Sequence, residues 1–267
     1  MNGRRLLLTL SNNTREYLNK MDTIFYQFSV SHYCEKARWA LDYKGVQYQV
    51  KDLLPGLHIL TLRKKVKGTS LPVLSMNGVY VQGSDQIIDF LDQTVATKPL
   101  TPVDAVLRTE AENWETFAAN QLGTPYSVFY YSNMLQNPEL LRQRYIQTSP
   151  WYGSLYYAIT FNRISQRIRE LYNINTNSAQ QARATIEVGL QKLEHHLQSR
   201  SYLVGDQFTR ADLSVAALIS PLALPPQLAY NRLPAHPAMV ELRKHFAGSP
   251  VIQWVNDIYQ THRSYLE

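Results

Sequence analysis

Apolar and polar positions recur along this chain with two periods, and the change from one to the other divides it. Residues 23–28 make a short β-like run. Two residues later Cys34, Ala37 and Leu41 follow Ser31 at helical spacing, so they predict one stripe of an amphipathic helix. Ser31 stands at the N-cap position and Gly45 at a C-terminal stop. Residues 46–50 alternate and are expected as a second strand, and residues 57–66, behind Pro55-Gly56, as a short basic helix. Leu71-Pro72-Val73-Leu74 reads as a third strand. Asn77-Gly78 is a two-residue hairpin signal, with residues 79–81 as the returning strand. Gly83-Ser84 ends that strand and opens a helix over 85–94, with Ile87, Ile88, Phe90 and Leu91 as its apolar set. The resulting order, β-α-β-α-β-β-α, predicts an α+β unit with parallel and antiparallel pairing.

Beyond residues 98–103, a proline-bearing linker, only helical patterns appear. A long amphipathic helix is expected over 104–122, another over 179–198, and a last one over 250–265 carrying Trp254. Thr209 and Asp212 have capping-box spacing, Phe208 is placed as the staple residue before the cap, and the apolar run 213–219 predicts a buried helix. Pro225-Pro226 and residues 234–237 read as loops. The expected organisation is therefore a loose N-terminal extension over 1–20, with Met21 as an alternative start, an α/β domain over 21–97, and an all-helical domain over 104–267.

The 267 residues carry 27 basic against 21 acidic side chains, a net charge of +6. That excess favours anionic small molecules, membrane surfaces or nucleic acid without choosing among them. Basic residues do not interleave with aromatic ones along a strand face, which sets nucleic acid aside. The single cysteine, Cys34, excludes an intrachain disulfide framework and a cysteine-rich zinc site, and fits a reducing, cytoplasmic compartment. No metal is expected, because the histidines show no ligand spacing; His32 is expected on the surface.

In this order and spacing, four features make the chain resemble the soluble glutathione transferase family from about residue 23 to 262. They are the strand–Ser31-x-x-Cys34–helix entry continuing through Lys36-Ala37-Arg38-Trp39-Ala40-Leu41, the Leu71-Pro72-Val73-Leu74 segment, Gly83-Ser84 opening a helix, and the Thr209–Asp212 box. The resemblance implies a thioredoxin-like N-terminal domain, a helical C-terminal domain, homodimerisation, and glutathione as co-substrate. Ser31 falls where the family's thiol-activating residue sits; a hydroxyl there would hydrogen-bond the glutathione thiolate and lower its pKa. Cys34 has the thioredoxin-motif spacing from Ser31 and is expected in the core, while Tyr26 is a third candidate for thiol activation. Leu71, before a Pro72 expected to be cis, would offer its backbone to the cysteinyl part of glutathione. Ser84 at a helix N-terminus would hold the γ-glutamyl carboxylate.

Two departures from the family pattern stand out. Gly83 replaces the usual acidic or amide residue, so that Gln82 or Asp85 would compensate. Thr69-Ser70 replaces the usual basic residue, so that Lys65 or Lys67 would reach the glycyl carboxylate. Trp114, Phe117, Tyr126, Phe129 and Tyr130 are candidates to line a pocket for a small hydrophobic electrophile. Residues 133–172 are longer than typical of the family and mix aromatics with Arg163, Arg167 and Arg169, the pattern of a membrane-surface element or of extra pocket wall. The implied activity is addition of the glutathione thiol to that electrophile. Alternatives are thiol–disulfide, isomerase or peroxidase chemistry on the same thiolate, and a non-catalytic binding protein on the same fold.

Overall fold

The computed structural model describes residues 23–228 and 235–263; the expected extension over 1–20 lies outside them. Four strands form one sheet: β1 (Ile24–Gln27), β2 (Gln49–Asp52), β3 (Val73–Met76) and β4 (Val79–Gln82). They lie in the order β2-β1-β3-β4, with β1 and β2 parallel and the other pairs antiparallel. Helices α1 (His32–Tyr43) and α3 (Ser84–Thr94) cover one face and the short α2 (His58–Leu62) the other. Phe25 and Leu74 therefore pack with Ala37, Trp39, Ile87 and Leu91, whereas Tyr26 and Val73 pack with Leu62. Strand β1 is covered on both faces, so its burial does not alternate.

The rest is helical: α4 (Ala105–Phe117), a π-helical segment (Ala118–Gly123), α5 (Thr124–Met134), α6 (Pro138–Gln147), α7 (Gly153–Leu171), α8 (Ser178–Leu197), α9 (Arg210–Ala223), α10 (Pro237–Phe246) and α11 (Pro250–His262). Every residue of α9 from Arg210 to Leu222 is buried, which makes it the axis of this half. The Thr209–Asp212 capping box starts it as expected.

The two halves meet through a buried polar cluster. Lys36 Nζ of α1 lies 2.6 Å from Glu115 Oε1 of α4, and Arg210 Nε donates to Glu115 Oε2 at 2.7 Å. Arg210 Nη1 also reaches Asp89 Oδ1 of α3 at 2.6 Å, and Ser214 Oγ donates to Glu115 Oε1 at 3.2 Å. On the other side of α1, Trp39 Nε1 donates to the His262 carbonyl at 3.0 Å, and Arg263 Nε donates to Glu35 Oε1 at 2.8 Å.

Three expectations need correction. The second strand runs over 49–52 instead of 46–50, because Val46 N bonds Leu41 O and closes α1. The helix expected to stop at 122 passes through the π-helical segment into α5. Pro237 opens α10 at a position that needs no N–H, with His236 as its cap.

Candidate active site

Strand pairing gathers the predicted site residues at one end of the sheet. Tyr26 pairs with Val73, and Val73 with Gln82, so the turn after β1, the Leu71-Pro72 segment and the Gly83-Ser84 corner are neighbours. Ser31 N bonds Phe28 O at 3.0 Å, and Gly83 N bonds Pro72 O at 3.0 Å. The Leu71-Pro72 bond is cis. The Leu71 N–H and C=O make no hydrogen bond within the described residues, which leaves one donor and one acceptor for a peptide-like ligand. Both α1 and α3 begin at this end, so two sets of free N–H groups and two positive dipole ends converge on it. A thiolate and a carboxylate fit such a place.

The Ser31 hydroxyl oxygen accepts from Cys34 N at 3.3 Å, as an N-cap should. A cap uses the oxygen's lone pair and leaves the hydroxyl hydrogen available, so capping and donation to a thiolate are compatible. Cys34 is fully buried, and that burial pushes its thiol up to about 11. Tyr26 faces away from the α1 side, among Leu62 and Val73, with Lys51 and Lys65 each 5.7 Å from its ring centre. Ser84 is buried at the first turn of α3, and Asp85 Oδ2 accepts from Gln86 Nε2 at 2.9 Å.

Gly83 has a local reason. Its φ of +101° suits glycine, and a Cβ there would meet the Gln86 side-chain oxygen. The Gln82 amide is engaged elsewhere: Oε1 accepts from Gly68 N at 3.1 Å and Nε2 donates to Ser70 O at 2.8 Å. Lys65 Nζ donates to the Tyr80 hydroxyl at 3.0 Å. Lys67 is exposed.

The aromatic candidates separate into two groups. Tyr126 stands beside the start of α1, with its ring 5.6 Å from His32 and 6.4 Å from Tyr130. Trp114 and Phe117 face α8 instead; Trp114 lies 4.6 Å from His196, and Lys192 Nζ lies over both rings. Phe129 is buried in the main core.

Two residues of the first turn of α1 were not in the predicted set. His32, expected on the surface, is buried; its Nε2 lies 3.1 Å from Gly123 O, and burial lowers its pKa to about 4. The Tyr33 hydroxyl sits 3.0 Å from Thr124 Oγ1 and 3.4 Å from Ala119 O. Gly123 makes room for it, since a Cβ there would lie 2.9 Å from that hydroxyl. Both carbonyls are shared with the helix itself: Ala119 O also accepts from Thr124 N, and Gly123 O accepts from Ser127 Oγ at 3.2 Å. The local sequence signal was Gly123-Thr124-Pro125, which reads as a helix break.

Segment 133–172 folds mainly as the α6–α7 pair. Leu141, Tyr145, Tyr157 and Phe161 pack on Leu54, and Tyr156 donates to Pro55 O at 3.1 Å. Trp151, Leu155 and Ile159 stay exposed. No helix among the described residues is long and apolar enough to cross a membrane.

Residues 25–99 match the family description "Glutathione S-transferase, N-terminal domain", and residues 166–255 match "Glutathione S-transferase, C-terminal domain". The chain belongs to the glutathione S-transferase family. Most of the α6–α7 pair lies between the two matched ranges. A probable glutathione S-transferase of Nicotiana tabacum is 26% identical over 104 residues, 39% of this chain, and the match spans about half (47%) of that relative's length. The fold resembles a glutathione S-transferase of Methylobacterium radiotolerans solved in complex with glutathione sulfonate, at 20% identity and a TM-score of 0.54, over 86% of this chain and 92% of that one. It also resembles the beta-etherase of Sphingobium sp. strain SYK-6, at 17% identity and a TM-score of 0.60, over 89% of this chain and 99% of that one. Glutathione S-transferases bind glutathione, and this member has the family's architecture: a mixed four-stranded sheet with helices, then an all-helical part.

Proposed function

We propose that this glutathione S-transferase ionises the glutathione thiol at Ser31 and adds it to a small hydrophobic electrophile. The observation that carries the reading is the Ser31 hydroxyl, held at the N-terminus of α1 next to the unpaired Leu71 N–H and C=O and the N-terminus of α3. The Leu71 backbone would hold the cysteinyl part of glutathione, Ser84 its γ-glutamyl carboxylate, and Lys67 its glycyl carboxylate, since Lys65 is engaged by Tyr80. A thiolate formed there would be stabilised by the Ser31 hydrogen bond and the α1 dipole. Tyr126, which lies against His32 at the start of α1, and its neighbour Tyr130 would supply a wall for the electrophile, whereas Trp114 and Phe117 belong to the α8 packing. Cys34, buried and with a raised pKa, supports conjugation over thiol–disulfide exchange by the protein's own cysteine. A homodimer in a reducing compartment completes the reading, and the exposed Trp151, Leu155 and Ile159 are the surface that a membrane contact would use.

The test is thiolate absorbance of bound glutathione near neutral pH together with calorimetric binding. Wild type shows both signals. Ser31→Ala keeps binding and loses the thiolate, and Ser84→Ala weakens binding. Binding without a thiolate in wild type would instead favour the non-catalytic binding protein.

A further inference from the structure

We propose that the α6–α7 pair sets the affinity for glutathione by holding α2 in place, with Tyr156 and His58 as positioning residues. This deepens the proposed function and rests on it. Helix α2 has five residues, no side-chain N-cap and one buried residue, Leu62. A helix that short does not sustain itself, so what it docks against decides how firmly it is held. The loop that opens it docks on α6 and α7. Leu54 and Leu57 pack with Leu141, Tyr145, Tyr157 and Phe161, and the Tyr156 hydroxyl donates to Pro55 O at 3.1 Å. Gly56 permits that close approach: its φ is +93°, and a Cβ there would run into the Tyr156 hydroxyl.

His58, the first residue of α2, carries that docking to the glutathione site. Burial holds its pKa below the ordinary imidazole value, so near pH 7 the ring is neutral, with one donor and one acceptor nitrogen. Nδ1 accepts from Gly56 N at 3.0 Å, closer than its 3.4 Å to Leu54 O, so the hydrogen belongs on Nε2. The ring's other backbone partner is the Thr69 carbonyl, two residues before Leu71. The Phe28 ring stands edge-on 5.0 Å away, and Phe28 O accepts from Ser31 N. One imidazole therefore touches both the turn that leads to Ser31 and the segment that leads to Leu71-Pro72. Lys67, to which the proposed function gives the glycyl carboxylate, follows the end of α2 directly. Ser31 is capped within α1, and the Gln82 amide ties residues 68 and 70 to β4. Undocking of α2 thus displaces residues 58–67 and leaves the thiolate chemistry at Ser31 in place. The cost falls on affinity alone.

The experiment is calorimetric titration of the full chain with glutathione in wild type, Tyr156→Phe, Tyr156→Ala and His58→Phe. Leu155→Ala, at an exposed position beside Tyr156 on α7, is the control. Apparent affinity scales with the fraction of molecules whose site is assembled. The dissociation constant is expected to rise about threefold in Tyr156→Phe, about tenfold in Tyr156→Ala and His58→Phe, and not at all in Leu155→Ala. The thiolate absorbance of bound glutathione titrates at the same pH in every variant. A residue that merely supports the fold would lower the melting temperature without moving the dissociation constant of the folded chain. Amide hydrogen exchange over residues 58–67 needs no glutathione: it quickens in Tyr156→Ala while α9 stays protected. Dissociation constants within about twofold of wild type overturn the proposal. So does a thiolate titration that shifts with them, or unaltered exchange. Wild type that binds no glutathione removes the proposed function and this role together, whereas bound glutathione indifferent to Tyr156 and His58 removes the positioning role alone.

Discussion

Glu115 joins the two halves of the chain, and Glu115→Gln tests how much that junction is worth. Its carboxylate takes Lys36 on one oxygen and Arg210 on the other, and all three side chains are almost wholly buried, with side-chain exposures of 2% for Lys36, 8% for Glu115 and 4% for Arg210. Neutralising it leaves the Lys36 ammonium buried without its counter-charge. Removing one partner of a buried pair costs roughly 3–5 kcal/mol. At about 2–4 °C per kcal/mol for a chain of this size, the melting temperature falls by roughly 6–20 °C. The assay is urea unfolding followed by circular dichroism, with Lys36→Met/Glu115→Leu beside the single variant. Removing both charges restores part of the loss, because the penalty is the orphaned ion more than the absent attraction. The pH dependence has a definite sign. Burial alone would raise the Glu115 pKa, but Lys36 and Arg210 outweigh it and hold it below the usual carboxylate value. A depressed folded pKa means stabilisation that is complete above about pH 4.3 and lost as pH falls through the folded value. The gap between wild type and Glu115→Gln therefore narrows in acid. A single variant within about 1 kcal/mol of wild type at neutral pH, or a double variant no better than the single, refutes the reasoning.

Two further tests use the first turns of α1. Burial lowers the His32 pKa to about 4, so its contribution is complete above about pH 6.5 and is lost as pH falls to about 4, some 3 kcal/mol in all. Urea midpoints measured across that range fall with pH in wild type and flatten in His32→Gln; equal slopes would contradict the buried neutral imidazole. Cys34 is fully buried with its thiol near 11, so a maleimide at pH 8 labels the native chain only as fast as it opens, and Cys34→Ala leaves the thiolate signal of bound glutathione intact. Immediate stoichiometric labelling would show an accessible thiolate and reopen a redox role.

What the sequence made legible was what neighbouring residues decide. The Ser31 cap, the Thr209–Asp212 box and the Asn77-Gly78 hairpin each close over two or three residues, and all three formed where expected. What it hid was settled at a distance. Strand β2 is exposed at every residue, so its own apolar pattern could not hold its register; pairing of Gln49 with Ile24 did. His32 is buried because its carbonyl partner lies 91 residues later, on a turn whose glycine and proline read locally as a break. The candidate site divides along the same line. Ser31, Leu71 and Ser84 come together because each sits at the edge of a local element and the sheet order β1-β3-β4 is short. The aromatic residues sort by which helix they face, and helical spacing alone does not carry that: Trp114 and Phe117 turn toward α8, while Tyr126, one turn past the π-helical segment, turns toward α1. The extra residue in that π turn rotates everything after it, so which aromatic residues face α1 follows from Gly123 and Pro125 more than from the aromatic residues themselves.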